Sequence, residues 1–303
     1  MIEQILVDSL VRAFLLGLFA VGLTAVYGIL KFANFYHVEF GVLGAYFTFL
    51  GVALGLNLYI SAVSAMFLVG IVGIVLDQAI LKRVRTASSV TLMIISFGVE
   101  IALQNIVRAI WGADPRHFVL PLQIFELSGA RITLIQLMII VIGIIAVMTL
   151  YLILYGTKMG KAMRAISDDP SLAMASGINT ERVIRWLWFI SASFASVAGV
   201  LFAMDTFLKP TMGFELMLPV FCAAIVGGLG HPFGAVLGAL LLALAENLGL
   251  FLNLAPIIKL GGVVPLEGPV YIPTGYKLAI SFVILVLMLL FRPSGILGGK
   301  KEG

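Results

Sequence analysis

Lys31, Asn34, His37 and Glu39 fall within nine residues of an otherwise apolar run, "YGILKFANFYHVEFGVLGAY" (27–46). Such groups can hold a cation, pass a proton or hydrogen-bond a polar solute. At membrane depth each ionisable group costs about 2.5–3.5 kcal/mol on insertion scales, so these residues line a path or pair together. Two readings stand. One is a helix break at a translocation pathway. The other is an interfacial turn, with Lys31 snorkelling and Glu39 in water. A metal centre is not indicated, because His37 and Glu39 are two residues apart with no obvious third ligand.

Glu100, Gln104 and Asn105 form a second polar set inside "ISFGVEIALQNIVRAIWG" (95–112). Glu100 and Gln104 are four apart and share a helix face, expected to point inward. They serve either as pathway lining or as interhelical hydrogen-bonding partners. A third cluster is glycine-rich: Gly227, Gly228, Gly230, Gly234 and Gly238 surround His231-Pro232. Pro232 pushes His231 away from helix, and the glycines permit a tight turn with close helix approach. Gly234 and Gly238 make a GxxxG packing face. A tight hairpin and a ligand-facing hinge both fit.

The stretch "KAMRAISDDPSLAMASGINTERVIR" (161–185) is charged where its surroundings are not. Asp169 suits a helix N-cap, Pro170 the first helical position and Gly177 the residue past the C-terminus. The helix between them, including Ser171 and Ala173, is under two turns and marginal alone in water. It is either a well-terminated connection or a helix that docks on something. No P-loop, H-E-x-x-H, C-x-x-C or G-x-S-x-G motif occurs, so no catalytic group is indicated and this chain is not expected to bind ATP by a P-loop.

The elements that position these residues follow from composition. The chain has 303 residues, 61% hydrophobic and 11% charged, with mean hydropathy +1.15. Soluble domains carry about 25% charged residues, so the composition indicates a polytopic membrane protein. Long unalternated apolar stretches favour helices over barrel strands, giving an all-α bundle. With about 20 residues per span, helices are expected near 6–30, 38–56, 58–80, 90–110, 132–155, 184–204, 233–253 and 276–291. The stretch 216–230 is marginal, a short broken span or re-entrant arm, so the count is eight or nine. The N-terminus reads as an uncleaved first span, and residues 1–303 as one transmembrane domain with an inner loop at 156–183. Cys222 is the single cysteine and makes no internal disulfide. Basic clusters at 82–85, 158–185 and 292–301 should face the cytoplasm, which places the N-terminus outside. The net charge of +4 needs no nucleic acid. "HVEFGVLGA" (37–45) and "HPFGAVLGA" (231–239) hint at an internal repeat, with chance as the rival explanation.

"RAISDDPSLAMASGIN" resembles the cytoplasmic loop of ABC-importer permeases, in which a short coupling helix sits in a groove of the ATPase subunit. More narrowly, "YGILKFANFYHVEFGVLGAY" is similar to the Y-G-x-x-x-x-x-N-F-x-H-G-[DE] stretch of branched-chain amino acid permeases. "ISFGVEIALQN", "AAIVGGLG…GAVLGALLLALAE" and "RPSGILG" follow in that family's order. Val38, Tyr36 and His231 depart from its pattern and put substrate identity in doubt. The resemblance implies a permease in a prokaryotic plasma (inner) membrane, importing branched-chain or other hydrophobic amino acids by alternating access. It implies two cytoplasmic ATPases carrying ATP and Mg, a second permease subunit (a copy or a paralogue) and an external binding protein. Asp169, Pro170, Ser171, Ala173 and Gly177 would meet the ATPase. Asn34, His37, Glu39, Gln104, Asn105, Gly227, Gly228 and Gly230 would line the pathway. A urea or short-amide importer is the alternative within this class. A secondary transporter is less favoured, since only Glu100 and Glu246 qualify as deep coupling carboxylates.

Overall fold

The computed structural model describes residues 2–121, 123–127, 129–251 and 271–297. Most of the loop 254–275, Glu267 within it, and Lys300 and Lys301 lie outside them. Among the described residues, eight helices are long and apolar enough to cross a membrane, with Met212–Gly227 as a shorter ninth. Among the described residues the bundle is all-α apart from one two-stranded hairpin.

In chain order the helices are α1 (Ile2–Leu30), α2 (Glu39–Ala53), α3 (Leu58–Leu76), α4 (Ser89–Trp111) and α5 (Leu134–Tyr151). There follow α6 (Lys158–Asp168), α7 (Pro170–Ala175), α8 (Thr180–Asp205), α9 (Met212–Gly227), α10 (Pro232–Leu250) and α11 (Lys277–Phe291). Helices α3 and α5 each finish in a π-helical turn, Asp77–Leu81 and Leu152–Gly156. The hairpin pairs β1 (Ile124–Leu127) with β2 (Ala130–Thr133), Glu126 opposite Arg131. It lies largely in the connection between the expected spans 90–110 and 132–155, where Gly129 at φ +88° favours a tight turn.

Hydrogen bonds between loops sort the two ends of the bundle. At one end Lys31 Nζ donates to Ser167 O (3.3 Å), Ser167 Oγ to Gly28 O (2.9 Å) and Ser89 Oγ to Lys31 O (3.2 Å). Leu297 N–H reaches Gly227 O there as well (3.1 Å). The described parts of all three basic clusters meet at this end, so it is the inner one. At the opposite end Gln4 pairs with the Arg131 backbone, and Arg116 pairs with Leu208. On the same charge rule, helix α1 starts at the outer end and runs inward.

Helices α1, α2, α8, α9 and α10 form the interior. Helices α3, α4, α5 and α11 present Phe67, Ile94, Ile145 and Leu290 outward, as lipid-facing helices should. Small residues let the interior helices touch. A Cβ on Gly199 of α8 would overlap the Gly41 backbone of α2, and one on Gly44 would stand 2.7 Å from Ser196 Cα. A Cβ on Gly238 would lie 2.6 Å from Gly227 N, so the GxxxG face of α10 is used against α9. The two similar stretches, "HVEFGVLGA" and "HPFGAVLGA", each open a helix, α2 and α10. His37 is buried while His231 is exposed at the inner rim.

Candidate functional site

Helix α1 ends at Leu30, and Lys31 takes the left-handed conformation (φ 55°), which turns the chain back into the bundle. Residues 31–38 then climb without regular helix, save a 3-10 turn at Phe35–His37. Phe35 N–H bonds Ser96 Oγ (3.2 Å), two turns into α4, and α2 starts at Glu39. Its later residues Tyr46 and Phe47 pack on Trp111, at the outer end of α4. Helix α2 thus opens within the membrane. Non-helical backbone is tolerated at that depth because protein surrounds it. The interfacial-turn reading, with Glu39 in water, does not hold: Glu39 is 0% exposed.

A buried polar belt lies at this break. Asn34 and Glu39 are wholly buried, Glu100 is 2% exposed, and none of their side-chain oxygens or nitrogens has a hydrogen-bond partner among the described residues. Glu39 lies one helical turn beyond Phe35, and Glu100 one turn beyond Ser96. The two carboxyls therefore stand at one level on neighbouring parallel helices. The N-terminus of α9 meets them: a Cβ on Gly213 would lie 2.8 Å from Glu39 Cδ. Glu39 consequently occupies the first turn of α2 and abuts the first turn of α9, where helix dipoles favour negative charge. Two carboxyls, a carboxamide and two helix N-termini can hold the ammonium and hydrogen-bonding groups of a polar solute.

Other expected pathway residues sit elsewhere. His37 braces the break: its Nε2 is 3.1 Å from Phe19 O, its Nδ1 is 3.5 Å from Ser191 Oγ, and its ring fills the space left by Gly22. It ties α1 and α8 to the turn instead of joining Glu39. Gln104 is half-buried, and Asn105 is exposed, its amide spent on Ile101 O (2.7 Å). The inward face of α4 carries Ser96 and Glu100, and residue 105 is turned away from it by helical geometry. Gly227, Gly228 and Gly230 lie at the inner hairpin between α9 and α10, apart from the belt. Gly228 and Gly230 take φ +108° and +92° to make the turn. Gly230 lies against Gly28 and borders a cavity of about 240 Å³ with Arg164, Ser167 and His231.

The inner face holds the second element. Asp169 Oδ1 accepts from Ser171 N–H (2.8 Å) and Leu172 N–H (3.0 Å), and Pro170 opens α7. Ile178 N–H reaches Ala173 O and Gly177 N–H reaches Met174 O, a Schellman closure with Gly177 at φ +83°. Ala173 is buried while Leu172 and Met174 are exposed, so a six-residue helix offers apolar tips to the inner solution.

One arrangement escaped the sequence reading. Arg85 Nη2 donates to both Asp77 oxygens (2.8 and 2.9 Å) and its Nη1 to Glu181 Oε1 (2.8 Å). Lys82 Nζ joins Glu181 at 3.1 Å. The inner end of α3 is thereby clamped to the first turn of α8, just beyond α7. The spacing of Asp77 and Arg85, eight residues on one helix, was the available signal.

A family model described as "Branched-chain amino acid transport system / permease component" matches residues 5–289. The chain belongs to this permease family. Similar members include the "High-affinity branched-chain amino acid transport system permease protein LivH" of Salmonella typhimurium, 33% identical over 93% of this chain and 91% of that one. BraD of Pseudomonas aeruginosa, of the same description, is 30% identical over 97% and 95%. The solved "PsaBC from Streptococcus pneumoniae in complex with Fab" shares the fold at TM-score 0.50 and 15% identity, over 95% of this chain and 91% of that one. The branched-chain permease family thus accounts for nearly the whole bundle, from α1 into α11.

Proposed function

We propose that this chain is a permease subunit of an ABC importer, moving branched-chain or other hydrophobic amino acids inward across a prokaryotic plasma (inner) membrane by alternating access. The observation that carries the reading is α7. A helix capped at both ends, with Leu172 and Met174 exposed on the inner face of a family permease, is built to sit in another protein's groove. Its partners are two cytoplasmic ATPases, which hold the ATP and Mg. A second permease, a copy or a paralogue, completes the pore, and an external binding protein delivers substrate.

The contacts around α7 suggest how force travels. Helix α8 follows α7 after four residues and is clamped to α3 through Glu181, Arg85 and Asp77. On the other side Ser167 of α6 holds Gly28 and Lys31, at the foot of the break. A displacement of α7 therefore reaches α3, α8 and the turn that leads to Asn34 and Glu39. The belt of Asn34, Glu39 and Glu100 lines the pathway in this proposal, and its polar groups exchange their interior partners for the substrate's.

The test is reconstitution with candidate ATPases. Replacing Asp169-Pro170 by Ala-Ala and Gly177 by Val should lower ATPase binding and coupled uptake. Unchanged complex formation and unchanged coupling would sink the docking role of α7. Uptake of leucine, urea and a sugar in a strain lacking the gene assigns the substrate class. Loss of urea uptake alone overturns the amino-acid reading.

A further inference from the structure

The outer end carries a second polar chamber, remote from the belt. It is a cavity of about 310 Å³ between α1, α5, α8, α10 and α11, at the small end of ligand-cavity volumes, roughly 300–1,000 Å³. Its mouth is charged with both signs. Asp8 and Arg12 lie one turn apart on α1, Asp205 ends α8 and Lys277 opens α11. Part of its lining is apolar, beside the polar side chains of Gln136, Thr206 and Asn247. Leu15 lies deeper along the inward-running α1, and Phe202 deeper along α8.

Arg12 is held in place from behind. Its Nε donates to Glu246 Oε2 (3.2 Å), a carboxylate that is wholly buried and also accepts from Ser281 Oγ. That leaves the two terminal nitrogens of Arg12 directed to other partners. Asp8 accepts from Gln4 Nε2 (3.0 Å) through one oxygen only. Among the described residues no hydrogen bond or ion pair occupies the Asp205 carboxylate. Opposite charges one helical turn apart, roughly 6 Å, match the spacing demanded by a head group that is both ammonium and carboxylate. The apolar part of the lining suits an unbranched or branched aliphatic chain.

We infer that this outer chamber is a binding site for a zwitterionic α-amino acid with an aliphatic side chain. Asp8 and Asp205 take the ammonium, Arg12 and Lys277 take the carboxylate, and Leu15 and Phe202 take the side chain. The site is separate from the belt at Glu39. The importer reading supplies a reason for such a ligand to arrive, but the assignment rests on the chamber's own charges.

Calorimetric titration of the full chain in lipid nanodiscs, without any ATPase, tests it. The probes are L-leucine, leucinamide, 4-methylpentanoate and urea. Leucine is expected to bind, and leucinamide and 4-methylpentanoate, each lacking one charge, to bind about tenfold more weakly or not at all. Asp205→Asn and Lys277→Met should weaken leucine by a similar factor, while Glu126→Gln, on the exposed hairpin, leaves this binding unchanged. Three results overturn the proposal: no leucine binding, equal binding of 4-methylpentanoate, or leucine binding indifferent to both outer variants. The wild-type probe series needs no variant to fold. Because no ATPase is present, failure here leaves the importer reading to its own uptake assay.

Discussion

Arg85→Met isolates the clamp between α3 and α8. Asp77 is 0% exposed and the Arg85 side chain 22%, so the substitution strands a carboxylate with little access to water. Removing one member of a buried pair costs about 3–5 kcal/mol. Glu181 is 42% exposed, so its pairs with Arg85 and Lys82 are screened by water and Glu181→Gln should cost only about 0.2–1 kcal/mol. The double variant Arg85→Met, Asp77→Asn removes both charges and leaves no stranded ion. It should recover about 1–3 kcal/mol relative to additive singles. Graded SDS unfolding in mixed micelles, followed by helix circular dichroism, measures all four corners of this cycle. Additive losses within about 0.5 kcal/mol would refute the buried pairing of Arg85 with Asp77, the support from which Arg85 reaches Glu181.

Three further outcomes follow from named contacts. Asp169→Ala should cost about 0.5–2 kcal/mol, localised to α7, and raise amide exchange at Ser171 and Leu172 without moving the global transition. Gly44→Ala sets a methyl against Ser196 and should destabilise by about 1–3 kcal/mol, whereas Gly98→Ala, which meets nothing within 4 Å, should be neutral or stabilising by up to about 1 kcal/mol; the same unfolding assay reads both. His37→Phe leaves Phe19 O without its ring partner and should cost about 1–3 kcal/mol, with a lower yield of folded protein by gel filtration.

The spans were legible because their signal is local: length and apolarity fix each helix to within a few residues, as for 90–110 against Ser89–Trp111. The caps of α7 were legible for the same reason, since Asp169-Pro170 and Gly177 act on their immediate neighbours. The depth of Glu39 was not. It depends on α9 and α4 closing over the break, contacts with residues 61 to 174 positions away. The glycines of the inner hairpin left two readings open in the sequence, because a close approach to a ligand and a close approach to a helix require the same missing side chain. Asp77 passed unnoticed because a carboxylate beside a basic cluster reads as ordinary interfacial charge. Its burial arises only when α8 brings Glu181 to the other side of Arg85.

The start of α2 also constrains how the protein can be made. A nascent α1–α2 pair leaving the ribosome carries Glu39 and an unwound stretch of backbone to membrane depth before any shelter exists. Their cover comes from α4, α8 and above all Gly213 of α9, more than 170 residues later in the chain. Until those helices arrive, the penalty on Glu39 alone is about 2.5–3.5 kcal/mol in lipid, enough to hold the early segment at the translocon or in the interface. Biogenesis of this bundle is therefore not a simple succession of hairpins. The break in the first third of the chain gains its full cover only from a helix in the last third.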